Sequence, residues 1–458
     1  MISKHKFIVL LILIVLLGTG LRFYNLSEEA LWTDEMVTLH TLRQDGFGDV
    51  IWKVAETELT PPGHFIMMWK WIDIFGESEF SLRFLSALFD ILAIILVYLI
   101  GSRFNRRVGI ISALFFATTM LQVLYAQEAR MYSLFGLLVL LSTYLLIRYA
   151  ENRKFLWLYI VTMALSLYVN YMAFFMMLLH LVILFYYKRE ILKEFVLASF
   201  VALLLFIPGM RILFHQIMLR QPILQKAFVA KGIPLFLANM GIGFYMLPLG
   251  ILVLGMVIAV PLFKRLSIEF KRNGLILLLI IFILVHLYFL DITLRSFSLI
   301  RHSFFIIPFF YIGIAYVLDK IKWKNALIIG ILLFNVFTLA VYYTETTKAP
   351  WDEAALYIEE NIPKGTLLVF DRSGSNERLY EYYASIKYPH MIVTWEENRK
   401  FVQMDDDLLL ERLDNEGRFV LVSSRNVRAS GYYQKLFEKY DLILHKEYRE
   451  LDLYYYSG

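Results

Sequence analysis

The residues with the most chemistry in them lie where long apolar runs end. Trp32-Thr33-Asp34-Glu35 places two adjacent carboxylates just after the first such run. One of two neighbouring acids can act as a general base while the other positions a metal ion or a hydroxyl. The same pair also suits the first turn of a helix, where the macrodipole favours negative charge, and both readings stand on spacing alone. Tyr125-Ala126-Gln127-Glu128-Ala129-Arg130-Met131-Tyr132 sets Glu128 beside Arg130 in a very short polar hairpin between two apolar runs. An acid and a base held there stay close to the membrane surface; the plainer reading is a polar turn with a surface ion pair, which is worth little. In Thr60-Pro61-Pro62-Gly63-His64, two prolines set the angle of the following segment. Arg83, Arg295 and Arg301 stand at the ends of apolar runs or in the loops beside them. Arginine at headgroup level can clamp a phosphate bidentately, or it can anchor a helix end by snorkelling. There is no cysteine in the 458 residues, so disulfides and thiolate metal sites are excluded.

The elements that must position these groups are membrane helices. Hydrophobic residues make up 59% of the chain and charged ones only 19%, with a mean hydropathy of +0.60; soluble domains carry about 45–50% and about 25%. Runs long enough to cross a bilayer fall near Phe7–Arg22, Leu82–Gly101, Val108–Gln127, Tyr132–Tyr149, Phe155–Val169, Met172–Tyr187, Phe195–Phe214, Leu235–Phe263, Gly274–Leu290, Ser303–Leu318 and Ala326–Tyr343. That is about eleven transmembrane helices. Every second connection is rich in Lys and Arg, beginning with Lys4 and Lys6 and then Arg103, Arg106 and Arg107. The rule that basic loops stay inside therefore predicts a cytoplasmic N-terminus and a C-terminal domain outside the cell membrane.

The first outer loop, 23–81, is long, with helices expected near Glu35–Arg43 and Asp49–Glu58. Gly63–Phe75 is apolar but short and carries Lys70 and Asp73, so it is read as lying in the interface with Trp69 and Trp71. Composition changes after Tyr343. From Trp351 onward, Thr366–Phe370, Met391–Trp395, Phe419–Ser423 and Leu442–His445 read as strands, with helices at Glu377–Tyr383, Asp406–Leu413 and Tyr432–Tyr440. The expected architecture is an α-helical polytopic membrane domain, 1–350, followed by a small extracytoplasmic α/β domain, 351–458. No Gly-rich phosphate loop is present, and nothing points to nucleic acid.

Taken together, these motifs resemble the type C glycosyltransferases of family 39, bacterial relatives of the protein O-mannosyltransferases and of the lipid A aminoarabinose transferase. Arg22-Phe23-Tyr24-Asn25-Leu26 followed by Leu31-Trp32-Thr33-Asp34-Glu35 looks like the first outer loop of that family. Ser78-Glu79-Phe80-Ser81-Leu82-Arg83 looks like the start of its second span, and the Tyr125–Leu134 stretch is the most distinctive match. His302 stands where the family often has Tyr, and Thr60 where many members have His.

The resemblance implies an inverting transfer of a sugar from a polyprenyl phosphate to an acceptor hydroxyl of a protein, lipid or cell-wall polymer on the outer membrane face. It implies catalytic roles for Asp34, Glu35 and Glu128, and donor phosphate binding by Arg83, Arg130 and Arg301. Thr60, Pro61, His64 and Tyr132 are then substrate-positioning residues. A divalent metal ion is compatible with this chemistry, although no ligand set is assigned. The competing class is a secondary transporter or lipid flippase, which would carry ionisable groups at the bilayer midplane. Here the acids cluster at one rim, with Asp90 the main exception.

Overall fold

The computed structural model describes residues 4–219 and 304–457, less 372–375, 398–399 and 424–438. In chain order the helices are α1 (Lys4–Phe23), α2 (Thr33–Leu42), α3 (Phe47–Thr57), α4 (Gly63–Phe75), α5 (Glu79–Gly101), α6 (Arg106–Thr118), α7 (Met120–Ala126), α8 (Tyr132–Glu151), α9 (Leu156–Val169), α10 (Ala173–Tyr187), α11 (Leu192–Leu205) and α12 (Ile207–Met218). There follow α13 (Ile307–Lys320), α14 (Lys324–Thr344), α15 (Trp351–Asn361), α16 (Asn376–Tyr383) and α17 (Asp406–Glu416). The strands are β1 (Leu367–Phe370), β2 (His390–Ile392), β3 (Thr394–Glu397), β4 (Lys400–Gln403), β5 (Arg418–Ser423), β6 (Asp441–Tyr448) and β7 (Leu451–Ser457).

The backbone divides into two compact units: Met1–Tyr24 with Thr41–Ala340, and Asn25–His40 with Val341–Gly458. In the first, α1, α5, α8 and α14 are long and apolar enough to cross a membrane among the described residues, and two bent helix pairs raise that number to six. The surfaces of α1 and α14 give the environment away. Leu13, Leu16, Leu333, Phe334 and Phe337 are each more than half exposed, and so wide an apolar face is tolerable only against lipid. The inner helices bury far more: Ile94, Val97, Val139 and Leu140 of α5 and α8 lie in a core shared with α6, α9 and α13. Local signals set the helix starts. The hydroxyl of Ser78 accepts from the Ser81 N–H ahead of α5, and Asn105 accepts from Val108 N–H ahead of α6.

Two expected spans differ in shape. Val108–Gln127 is not one helix: α6 stops at Thr118, and α7 leaves at 60°. Phe195–Phe214 is likewise divided into α11 and α12, bent by 67°. Hydropathy sums composition along a run and carries no sign of the bend. Thr118 and Thr119 turn their hydroxyls onto carbonyls of the preceding turn, with Thr119 Oγ1 to Phe115 O at 2.6 Å, back-bonding that bends helices. The expected spans Leu235–Phe263 and Gly274–Leu290 lie outside the described residues. α4 coincides with the expected interfacial segment.

The second unit holds a five-stranded sheet in the order β2-β1-β5-β7-β6, in which β2, β1 and β5 run parallel and β7 and β6 antiparallel. β1 and most of β5 are buried on both faces, as parallel strands are. Met391–Trp395 is two strands rather than one, since β2 joins the large sheet while β3 pairs with β4. β7, unforeseen in the sequence, completes a hairpin with β6 through Arg449-Glu450, with Glu450 at φ 56°. Neither residue is the Asn or Gly that marks such a turn.

Candidate active site

In the second unit, the acidic pair opens α2. Glu35 is fully buried. Its carboxylate accepts the Trp32 N–H at 3.3 Å, the reach-back of a capping box, and the Lys348 ammonium at 3.1 Å. Asp34, on a different face of the same turn, is half-buried. The segment carrying the pair is tied down from both sides. The carboxylate of Glu29 accepts from the Thr347 hydroxyl at 2.7 Å and from its backbone N–H. The Tyr383 hydroxyl, at the end of α16, accepts from Leu31 N–H at 2.7 Å.

In the first unit, the Gln127–Met131 hairpin is buried, with Glu128 at 7% and Arg130 at 8% exposure. The Arg130 guanidinium donates to both carboxylate oxygens of Glu58, each at 3.2 Å, and lies 6.0 Å from the centre of the Phe65 ring. The hairpin is anchored through Gln127, whose amide donates to Arg22 O at 3.1 Å and Tyr24 O at 2.7 Å. Beside the pair, the Gln216 amide of α12 donates to the carbonyls of Val54, Glu58 and Thr60 and accepts from the Tyr171 hydroxyl at 2.8 Å.

The proline corner is folded into this network. Gly63 is required there, because a Cβ would come within 2.6 Å of Tyr168 O. Thr60 Oγ1 and His64 Nδ1 are buried and make no hydrogen bond among the described residues. Burial, aided by the Arg130 charge, pushes His64 down to about 3, so its ring is neutral at physiological pH and can only donate or accept hydrogen bonds. Arg83 is buried early in α5. Tyr132 is buried at the start of α8, its ring 5.2 Å from that of Tyr125. Arg295, Arg301 and His302 lie outside the described residues.

Three partners escaped sequence reading. Glu58 stood at the end of an expected helix with nothing to show that it meets Arg130. Gln216 lay two residues past the expected span Phe195–Phe214, and Lys348 between the last expected span and the expected α/β domain. A carboxylate three residues before a rigid Pro-Pro corner was the one available hint. Asp90, the lone mid-span acid, is also paired: its carboxylate takes the Arg22 guanidinium at 2.6 Å. As for metals, Glu377, Glu381 and His390 of the second unit are the one group of three ligand-bearing residues gathered within 4.8 Å among the described residues. Its His390–Glu377 contact, at 2.7 Å, is already a closed pair. An apolar cleft of about 80 Å³ lies at the Ile100–Phe104 end of the bundle, a full helix length from Arg83.

Residues 60–211 match the family described as dolichyl-phosphate-mannose-protein mannosyltransferase. No curated protein sequence matches the chain. Among solved structures, ArnT from Cupriavidus metallidurans in the apo state is similar over 99% of this chain and 98% of its own, at 15% identity and a TM-score of 0.53. The archaeal oligosaccharyltransferase AglB from Archaeoglobus fulgidus, in complex with an inhibitory peptide and a dolichol-phosphate, is similar over 92% of this chain and 70% of its own, at 12% identity and a TM-score of 0.54. At such identities the likeness is one of fold. The matched segment contains Thr60, Pro61, His64, Arg83, Glu128, Arg130 and Tyr132. Residues 60–211 thus carry a mannosyltransferase-family match within a fold that the chain shares with ArnT over almost its whole length.

Proposed function

We propose that this enzyme moves a sugar from a polyprenyl phosphate to an acceptor hydroxyl on the outer face of the cell membrane, with inversion at the anomeric carbon. The observation that carries the reading is the match to a dolichyl-phosphate-mannose-dependent family over the segment that holds the buried Arg83, Glu128 and Arg130. Solved AglB, with which the fold is shared, is complexed with a dolichol-phosphate, and a lipid phosphate is the leaving group the reaction requires. Arg83, Arg130 and Arg301 hold that phosphate as its charge develops. Asp34 takes the proton from the attacking hydroxyl as the oxygen bonds to the anomeric carbon and the sugar–phosphate bond breaks. Glu35 keeps the acidic turn in place through Trp32 and Lys348. Glu128 orients the acceptor, and Thr60, His64 and Tyr132 contact sugar or acceptor hydroxyls. The region 351–458 helps to recognise the acceptor.

Sidedness rests on the alternation of basic loops. A reporter fused after Tyr343 should work only outside the cytoplasm, and one after Arg107 only inside; cytoplasmic activity from the first would reverse the orientation. For the reaction, purified enzyme supplied with radiolabelled polyprenyl phosphate sugars and membrane or protein acceptors should release polyprenyl phosphate in step with labelled acceptor. Binding and transbilayer movement of these lipids without transfer would favour a flippase.

A further inference from the structure

One residue of α1 grips the bent α6–α7 span at both of its critical points. The Arg22 side chain is completely buried. Its Nε donates to Asp90 Oδ2 at 2.7 Å, and its Nη1 to Ala117 O at 2.9 Å and to Gly18 O at 3.2 Å. Nη2 lies 2.6 Å from the same Asp90 oxygen and 3.4 Å from Phe116 O. Phe116 and Ala117 are in the last turn of α6, where the 60° break leaves carbonyls without the helical partner that an unbroken span would provide. A cation at a helix C-terminus is favourable for the same reason. Ten residues further on, the Arg22 backbone carbonyl accepts from Gln127. α7 is thus suspended between the side chain and the main chain of a single arginine. α5 supplies the counterparts: Asp90 fixes the guanidinium, and Ser86, one turn earlier, donates to Arg130 O at 3.3 Å.

We propose that Arg22 and Asp90 are a positioning pair whose task is to set the angle of α7 and so the place of Glu128 and Arg130, a role that rests on the proposed part of those two residues in transfer. Burying two charges in an apolar bundle brings no stability that a hydrophobic pair of equal volume would not bring. What the ion pair adds is direction. The planar guanidinium fork can serve a carboxylate and the exposed carbonyls at once, which neither Leu nor Lys can do. Gly18 keeps the approach close, since a Cβ there would fall 2.4 Å from Ile94 Cδ1 on α5.

The test uses full-length R22M/D90L, which replaces the pair with apolar groups and keeps the bundle free of a stranded charge, together with R22K, E128Q and R130A. Turnover is expressed per folded protein, as gauged by its melting transition in detergent. In R22M/D90L we expect hydrogen exchange over residues 119–130 to rise about tenfold or more, with exchange over α8 unchanged. Turnover should drop roughly 10- to 100-fold, the scale of a misplacement of about 1 Å, and R22K should fall between it and the wild type. A folded R22M/D90L with wild-type exchange over 119–130 overturns the proposal. So does wild-type turnover in that variant while E128Q and R130A are impaired. Wild-type turnover in E128Q and R130A would instead overturn the proposed role of those two residues, and the exchange result would still decide whether the pair sets the bend.

Discussion

Each of the two units holds a buried acid–base pair, and the two pairs are built differently. In the second unit, Glu35 meets Lys348 at 3.1 Å and also accepts from the backbone N–H of Trp32 at its own helix start. In the first unit, Glu58 meets Arg130 through two parallel contacts of 3.2 Å. A lysine is a point charge on a flexible stem, whereas an arginine fork fixes an orientation. In the first pair the acid is the buried partner, and Asp34, half-buried, is its neighbour in the same turn. In the second the cation is the group of interest, and Glu58 holds its fork at a set angle beside the neutral His64. The difference teaches that a charge at such a site has two uses: to scaffold a neighbour, or to be aimed itself.

The comparison breaks most sharply at Asp34. Asp34→Asn keeps the shape of the acidic turn and removes its basicity, so turnover should fall roughly 10²–10⁴-fold while donor binding and the melting transition persist. More than about a tenth of wild-type turnover would move the base to Glu35 or Glu128.

Next in size is the scaffold itself. Lys348→Met strands the Glu35 carboxylate in the interior, and breaking a buried pair costs about 3–5 kcal/mol. A marked drop in the denaturant midpoint is expected, with recovery on adding Glu35→Gln. An unchanged midpoint would mean that Lys348 does not hold Glu35.

Arg130→Ala should weaken donor binding on the order of 10- to 100-fold, the worth of one hydrogen bond to a charged group. Arg130→Lys should recover little of it, because the fork is lost. Isothermal titration with a polyprenyl phosphate would read this directly, and full affinity in the lysine variant would dismiss the aimed-fork argument.

A further effect, confined to acid pH, comes from His64. The folded-state value of His64 is lowered to about 3 from 6.5, so the unfolded chain binds more protons between those values. The contribution of His64 is therefore fully present above about pH 6.5 and is lost as pH falls towards 3, at up to about 1.4 kcal/mol per pH unit. His64→Gln should flatten the acid limb of a stability–pH curve; an unaltered limb would place the acid sensitivity elsewhere.

Much of this molecule was decided by local physics and was therefore legible in one dimension. Long apolar runs can only face lipid or core, which placed α1, α5, α8 and α14. The Pro-Pro corner and the short apolar run after it located α4 to the residue, and strand alternation found β1 and β5. The chemistry-bearing residue types were equally visible: the acidic pair, the polar hairpin and the arginines at the ends of spans. What sequence order could not convey is which charges meet. Glu35 and Lys348 are 313 residues apart, Glu58 and Arg130 are 72 apart, and Arg22 and Asp90 are 68 apart. Each pairing is made when packed helices and strands exclude water from both partners, a condition that no local periodicity encodes. The 60° break after Thr118 is of the same kind, because its open carbonyls are satisfied by an arginine from another helix. Side-chain type is written in the chain; the partner that orients it exists only once the fold has closed around both.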